Sequence, residues 1–193
     1  MASSSLVDRR KHETRRDIAK TAMALFIRDG FDEVGAEEIA REAGVSLRTF
    51  YRYFSGKDEV LSPIITEGME NLAAAIASRP VHETLAVAVK AAYAGMASTA
   101  GSENVRTLVR LIIGTPALRA HWLDGLRSIE ETLVAVIHAR QADASDEGAR
   151  LTAAAIVAAL RLTLERSTRT GSSEPLAEEL GASLCFLRDG AGL

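Results

Sequence analysis

The sequence predicts an all-α protein: an N-terminal helix-turn-helix unit over residues 1–61, then a helical body over 62–193, with about nine helices in all. Three observations carry this expectation. The chain holds only 4 Pro among 193 residues and is rich in Ala and Leu, which favours helix along its whole length. No run alternates apolar and polar residues between turn clusters as a strand does. The stretch from Ala36 to Phe54, AEEIAREAGVSLRTFYRYF, reads as two short helices around a tight turn, a unit of the size that enters a DNA major groove.

Met1 to Val7 are expected to form an unstructured tip. Arg9, Arg10, Lys11, Arg15, Arg16 and Lys20 then stand against only Glu13 and Asp17, a basic start to the first helix that suits phosphate contacts. Ile18, Ala22, Leu25 and Phe26 mark the inward side of that helix, which ends at Asp29-Gly30, with Phe31 as a plug. In the second helix Ile39, Ala40 and Ala43 share a face, and the alanines permit close packing. Gly44 permits the turn and Ser46 caps the next helix, which begins at Leu47. Leu47, Phe50 and Phe54 face inward at i, i+3 and i+7. Arg48, Thr49 and Arg52 point away, with Tyr51 and Tyr53 on the shoulders. Residues 44–57 contain Arg48, Arg52 and Lys57 and no carboxylate, a composition suited to phosphates and base edges.

FSGKDEVL is expected to open a fourth helix, capped by Ser55 and with Lys57 in its first turn. Beyond it the pattern predicts helices near Ser62 to Ser78, His82 to Thr99, Ser102 to Gly114, Pro116 to Arg140, Asp146 to Thr168 and Glu174 to Arg188. The joints are Arg79-Pro80, Ala100-Gly101, Thr115-Pro116, Ala142 to Ser145 and Thr170-Gly171-Ser172-Ser173.

The order helix, Gly-Phe, helix, Ala-Gly-Val-Ser, Thr-Phe-Tyr-x-Tyr-Phe, x-x-Lys-Asp, running from about Arg15 to Leu61, resembles the DNA-binding domain of the TetR family of transcriptional repressors. The resemblance implies a nine-helix plan whose C-terminal helices bind an effector and pair two subunits. It implies that Leu47, Arg48, Thr49 and Tyr51 approach bases or the adjacent backbone and that Tyr53 and Lys57 meet phosphates. Arg48 is the candidate for base readout, because an arginine bonds both O6 and N7 of guanine. Arg52 faces outward by projection, with a local ion pair as its other reading. Arg15 and Ser46 complete the expected DNA contacts. The family often has Thr or Ser where this chain has Gly35 and Ala36, so the hydroxyl contacts at the start of the second helix are missing.

The helical body offers two further sets. Tyr93, Met96, Arg110, Trp122, Arg127, Arg161 and Glu165 are candidate effector contacts, with a core tryptophan and surface ion pairs as the bland alternative. Leu151, Ala155, Ala158 and Leu162 trace one stripe, and Leu176, Leu180, Leu184 and Leu187 another. Two such helix pairs would bury both stripes in a four-helix bundle between subunits, or each stripe covers its own subunit's core.

Residues 1–61 balance 11 Lys and Arg against 11 Asp and Glu, so the net charge of -3 lies in residues 62–193, away from the DNA-reading unit. One cysteine, Cys185, excludes an intrachain disulfide and a Cys-type zinc site. His12, His82, His121 and His138 have no metal-ligand spacing, and no metal or other cofactor is expected. No catalytic motif stands in the chain, and Glu130-Glu131 point apart on a helix. The start has no apolar run of signal-peptide length, and Leu151 to Leu160 is about half a bilayer span, so a cytoplasmic protein with no membrane role is expected.

The expectation is therefore a homodimeric, ligand-responsive repressor that binds a near-palindromic operator in double-stranded DNA and responds to a small-molecule effector. The alternative is a helical ligand-sequestering or partner-binding protein with weakened DNA binding, at which the Gly35-Ala36 departure hints.

Overall fold

The computed structural model describes residues 6–100, 102–141, 143–171 and 174–188. Among these it has nine helices and no strand: α1 (Leu6–Asp29), α2 (Ala36–Glu42), α3 (Leu47–Tyr53), α4 (Ser62–Ala77), α5 (Leu85–Ala100), α6 (Ser102–Gly114), α7 (Pro116–Arg140), α8 (Asp146–Thr170) and α9 (Leu176–Arg188). The expected tip lies outside the described residues as far as residue 5, as do the joint residues Gly101, Ala142, Ser172 and Ser173. From Leu6 the chain is already helical: good helix formers follow, and Asp8 in the first turn suits the positive end of the helix dipole. No helix of the described residues is long and apolar enough to cross a membrane.

The helix expected from Ser55 is a run of turns, and α4 starts only at Ser62. Ser55 donates both its backbone N–H and its hydroxyl to the Glu59 carboxylate, at 2.9 and 2.7 Å. The chain behind it closes i to i+3 bonds, Glu59 N–H to Gly56 O at 3.3 Å and Val60 N–H to Lys57 O at 3.4 Å, in place of α-helical ones. The start of α5 likewise falls at Leu85 rather than His82, after turns that follow Pro80.

A continuous apolar core runs from Ile18 on α1 through Phe50, Ile65, Trp122, Leu133 and Leu160 to Leu184 on α9. α4 is central to it, packing on α1, α5 and α7. Its approach to α7 is close at Gly125, where an added Cβ would lie 3.2 Å from Ile65 Cγ2 and 3.4 Å from Met69 Cγ. The C-terminal end of α4 is held from α7 as well. Arg140 donates to the carbonyls of Ile76, Arg79, Pro80 and Glu83 at 3.0–3.3 Å, taking up carbonyls that a helix end leaves open.

Candidate functional site

The α2–α3 pair is built by local rules. α2 closes in a Schellman arrangement: Gly44, at φ 69°, donates to Arg41 O at 3.1 Å and Val45 donates to Ala40 O at 2.9 Å. Ser46 then sits in extended geometry, and its hydroxyl accepts from Thr49 N–H at 3.1 Å. The Thr49 hydroxyl is 2.9 Å from the same Ser46 oxygen, so these two side chains steady each other. Gly35 caps α2 with no side-chain bond, as expected from the missing hydroxyl.

Phe50 and Phe54 are buried with their rings 5.5 Å apart, and they fix which way α3 turns. Leu47 is half-buried against the same core. Arg48 and Arg52 are exposed, and Tyr51 is 55% exposed with its ring edge-on to Phe50. The Arg52 guanidinium lies over the Tyr53 ring at 4.9 Å, with Nη2 3.4 Å from the phenol oxygen. The outward reading of Arg52 thus holds, with a stacked tyrosine in place of an ion pair. The projected face comes together as one surface of cations, hydroxyls and phenols.

Two of the expected DNA contacts, Lys57 and Arg15, are engaged within the free chain. Lys57 Nζ donates to the carbonyls of Phe31, Asp32 and Val34 at 2.8, 3.1 and 3.0 Å and lies 4.6 Å from the Phe31 ring centre. An ammonium has three protons, and all three are used here: in the free protein Lys57 clamps the loop that leads into α2. Arg15 packs on the Phe54 ring at 5.3 Å and stands 4.0 Å from Glu59. It braces the end of α3 and keeps part of its side chain at the surface. The Ser55 bonds, followed by the charge of Arg15, hold the Glu59 carboxyl below the usual carboxylate range against the opposing effect of burial.

A cavity of about 260 Å³ opens behind α4. Ile64, Ile65, Met69, Tyr93, Leu108 and Trp122 are among its walls, and Glu67, Gly68, Asn71 and Leu72 complete the α4 side. Of the predicted effector contacts, Tyr93, Met96 and Trp122 line it. The other four do not. Arg110 is exposed beside a separate narrow cleft, Arg127 is almost wholly exposed near Asp124, and Arg161 pairs with Glu165 at 3.2 Å along α8. Long charged side chains keep their heads in water, which sends these residues away from an apolar cavity.

The α8 and α9 stripes part company. Leu151 and Leu162 are 65% and 54% exposed, with Ala155 and Ala158 half-buried between them. On α9, however, Leu176, Leu180 and Leu184 are buried in the protein's own core, so their assignment to a subunit interface is corrected. The large apolar side chains exposed on α9 are Phe186, at 62%, and Leu187. A groove of about 520 Å³ runs between the two helices past Ala155, Ala158, Leu162, Ala182, Phe186 and Leu187.

Comparison with known proteins agrees with this geometry. Residues 18–63 match the family described as bacterial regulatory proteins, tetR family, and residues 79–192 match the MftR C-terminal domain. The chain belongs to the TetR family of transcriptional regulators. It is 27% identical over 195 residues to MftR of Mycobacterium tuberculosis, named for regulation of mycofactocin biosynthesis, covering 100% of this chain and 98% of that protein. The fold matches FadR of Thermus thermophilus in complex with lauroyl-CoA, with TM-score 0.66, 21% identity and coverage of 91% and 94%. It also matches the triclosan complex of SmeT, from Stenotrophomonas maltophilia, with TM-score 0.64, 19% identity and coverage of 90% of each chain. TetR-family regulators are DNA-binding proteins and not enzymes.

Against that family background, sequence reasoning missed three kinds of residue. The cavity walls Leu108, Val109 and Ile112 on α6 and Leu160 and Leu164 on α8 look like ordinary core in the sequence. Phe186 was passed over for the more regular leucine stripe beside it. Arg140 carried no motif, although a basic residue in the last turn of a helix is a signal for carbonyl contacts.

Proposed function

We propose that this chain is a homodimeric, ligand-responsive repressor of the cytoplasm, with residues 1–61 reading DNA and residues 62–193 binding effector and partner. One observation carries the proposal. Buried Phe50 and Phe54 hold α3 so that Arg48, Tyr51 and Arg52 stand exposed on a stretch, residues 44–57, with no carboxylate. Arg48 reads bases, while Ser46, Thr49, Tyr51 and Tyr53 contact the adjacent backbone. Arg9, Arg10 and Lys11 on the first turns of α1 add phosphate contacts.

The groove between α8 and α9 supports pairing with a second copy, because small Ala155 and Ala158 permit close helix approach and Leu162, Phe186 and Leu187 supply apolar area. A two-fold pair sets two copies of α3 on the half-sites of a near-palindrome, about 34 Å or a multiple of it apart. The solved complexes of FadR with lauroyl-CoA and SmeT with triclosan support a small-molecule effector, for which the largely apolar α4 cavity offers room, and the description of SmeT as a repressor supports the sign of regulation.

α4 supplies the coupling. It lines the cavity through Ile64, Ile65, Gly68 and Met69, and its Glu67 is paired with Arg16 of α1 at 2.9 Å. The close contact at Gly125 blocks retreat toward α7. Filling the cavity moves α4 and therefore α1, and shifts the dimer away from the spacing that DNA requires. Footprinting the purified chain on genomic DNA tests the proposal. Protected near-palindromic sites are expected, and failure to bind any fragment at low salt overturns it.

A further inference from the structure

The charged and amide side chains of the α4 cavity stand together on one edge of its wall. Glu67 and Asn71 are one turn apart and so share a side of α4, with Ile64 and Gly68 beside them, while the rest of the lining is aliphatic, thioether and aromatic. Asn71 is exposed and the Glu67 side chain is 31% exposed, which sets this edge at the mouth of the cavity and not in its depth. No Lys or Arg lines the cavity. The Glu67 carboxylate has one partner among the described residues, Arg16 of α1, whose Nε lies 2.9 Å from Oε2. A carboxylate accepts from several donors at once, so this one has room for another.

That edge sets the polarity of an occupant. An anionic head at the mouth would meet the Glu67 charge with no cation on the wall to offset it. A cationic nitrogen meets the carboxylate and the side-chain carbonyl of Asn71, both of them acceptors. Water reaches the mouth, so the nitrogen keeps part of its hydration and the attraction is not cancelled by the cost of burying a charge. At about 30 Å³ for each water-sized unit, 260 Å³ holds about nine of them, the size of an eight-carbon chain with one nitrogen.

We propose that the cavity takes an apolar molecule ending in a cationic nitrogen, with the hydrocarbon inside and the nitrogen held at the mouth by Glu67. The assignment rests on reading the cavity as the effector site, and it names the contact that passes occupancy on. Glu67 serves two cations: Arg16 of α1 in the free chain, and the nitrogen of the ligand when one is bound. Sharing the carboxylate weakens its hold on Arg16, so the interaction that selects the ligand also loosens α1 from α4.

The test uses the full chain without DNA at neutral pH, with octylammonium and octanoate as probes of equal tail and opposite charge. Trp122 is the sole tryptophan and lines the cavity, so its emission reports occupancy. Octylammonium should change that emission saturably and bind at least about tenfold more tightly than octanoate. Glu67→Gln should bring the two probes to within about threefold of each other. Arg16→Gln removes the competing cation, so it should tighten octylammonium about two- to fivefold and weaken octanoate. A Cβ at Gly68 meets nothing within 4 Å, so Gly68→Leu should fill the cavity and abolish both responses.

Equal affinity for the two probes, tighter binding of octanoate, or an Arg16→Gln chain that binds octylammonium no better than the parent would overturn the assignment. A gain in affinity cannot come from misfolding, so Arg16→Gln decides even where Glu67→Gln does not fold. Octylammonium that binds as described and leaves operator affinity unchanged overturns the effector reading alone. A chain that binds operator while its Trp122 ignores octylammonium overturns the ligand assignment alone.

Discussion

Lys57→Ala should lower the melting temperature of the chain instead of releasing a DNA phosphate. The ammonium holds three loop carbonyls at 2.8–3.1 Å, two of them at part-buried positions. Hydrogen bonds to a charged donor contribute about 1.5–3 kcal/mol each when buried. Water can reach this loop once the side chain is gone, so about 1 kcal/mol per bond, or about 3 kcal/mol in all, is the expected loss. For a chain of this length that corresponds to a drop of roughly 6–12 °C, read by calorimetry. DNA affinity also falls, because Val34 O lies directly before Gly35, the cap of α2. The salt dependence separates the two roles: a lost phosphate contact would flatten the slope of log affinity against log salt by about 1, whereas a lost clamp leaves the slope unchanged. An unchanged melting temperature together with a flatter slope, measured by fluorescence anisotropy, would refute the clamp.

Three other outcomes are expected. Arg48→Ala should weaken the cognate operator by about 1–3 kcal/mol and random duplex far less, as competition binding would read; equal losses on both remove it from base readout. Leu162→Arg combined with Phe186→Arg should turn dimers into monomers in sedimentation velocity while the chain stays folded, since both side chains are exposed in the single chain. Persistent dimers at micromolar concentration would move the interface elsewhere. Glu59 has a folded-state value below its ordinary 4.5, so its contribution to stability is present above that pH and is lost as pH falls through the lowered value. Glu59→Gln should therefore melt earlier than the parent near neutral pH, and the gap should close as pH falls through the lowered value. A gap that persists at low pH would show that the Ser55 bonds do not depend on the carboxylate's charge.

The local elements were legible because their rules are local. Gly44 in left-handed geometry, Ser46 as a cap, and Leu47, Phe50 and Phe54 at helical spacing are each decided within a few residues. The expected outward face of α3 followed from that spacing alone. The turn run after Ser55 was less legible, because Ser55 and Glu59 suit a helix start as well as a turn, and Lys57 reaches back 23–26 residues for its partners.

Sequence by itself determined the all-helical class, the DNA-reading unit and the residues that unit displays, since period and capping act at short range. Tertiary structure alone decided which stripe of α9 faces inward, because Leu184 and Leu187 are equally apolar and only the packing of α9 on α5 and α8 separates buried from exposed. It also decided which polar side chains reach the cavity. Tyr93 stays inside with its hydroxyl unbonded among the described residues, while Arg127 and Arg161 turn to water and to Glu165, a choice made by space and desolvation that no spacing rule encodes.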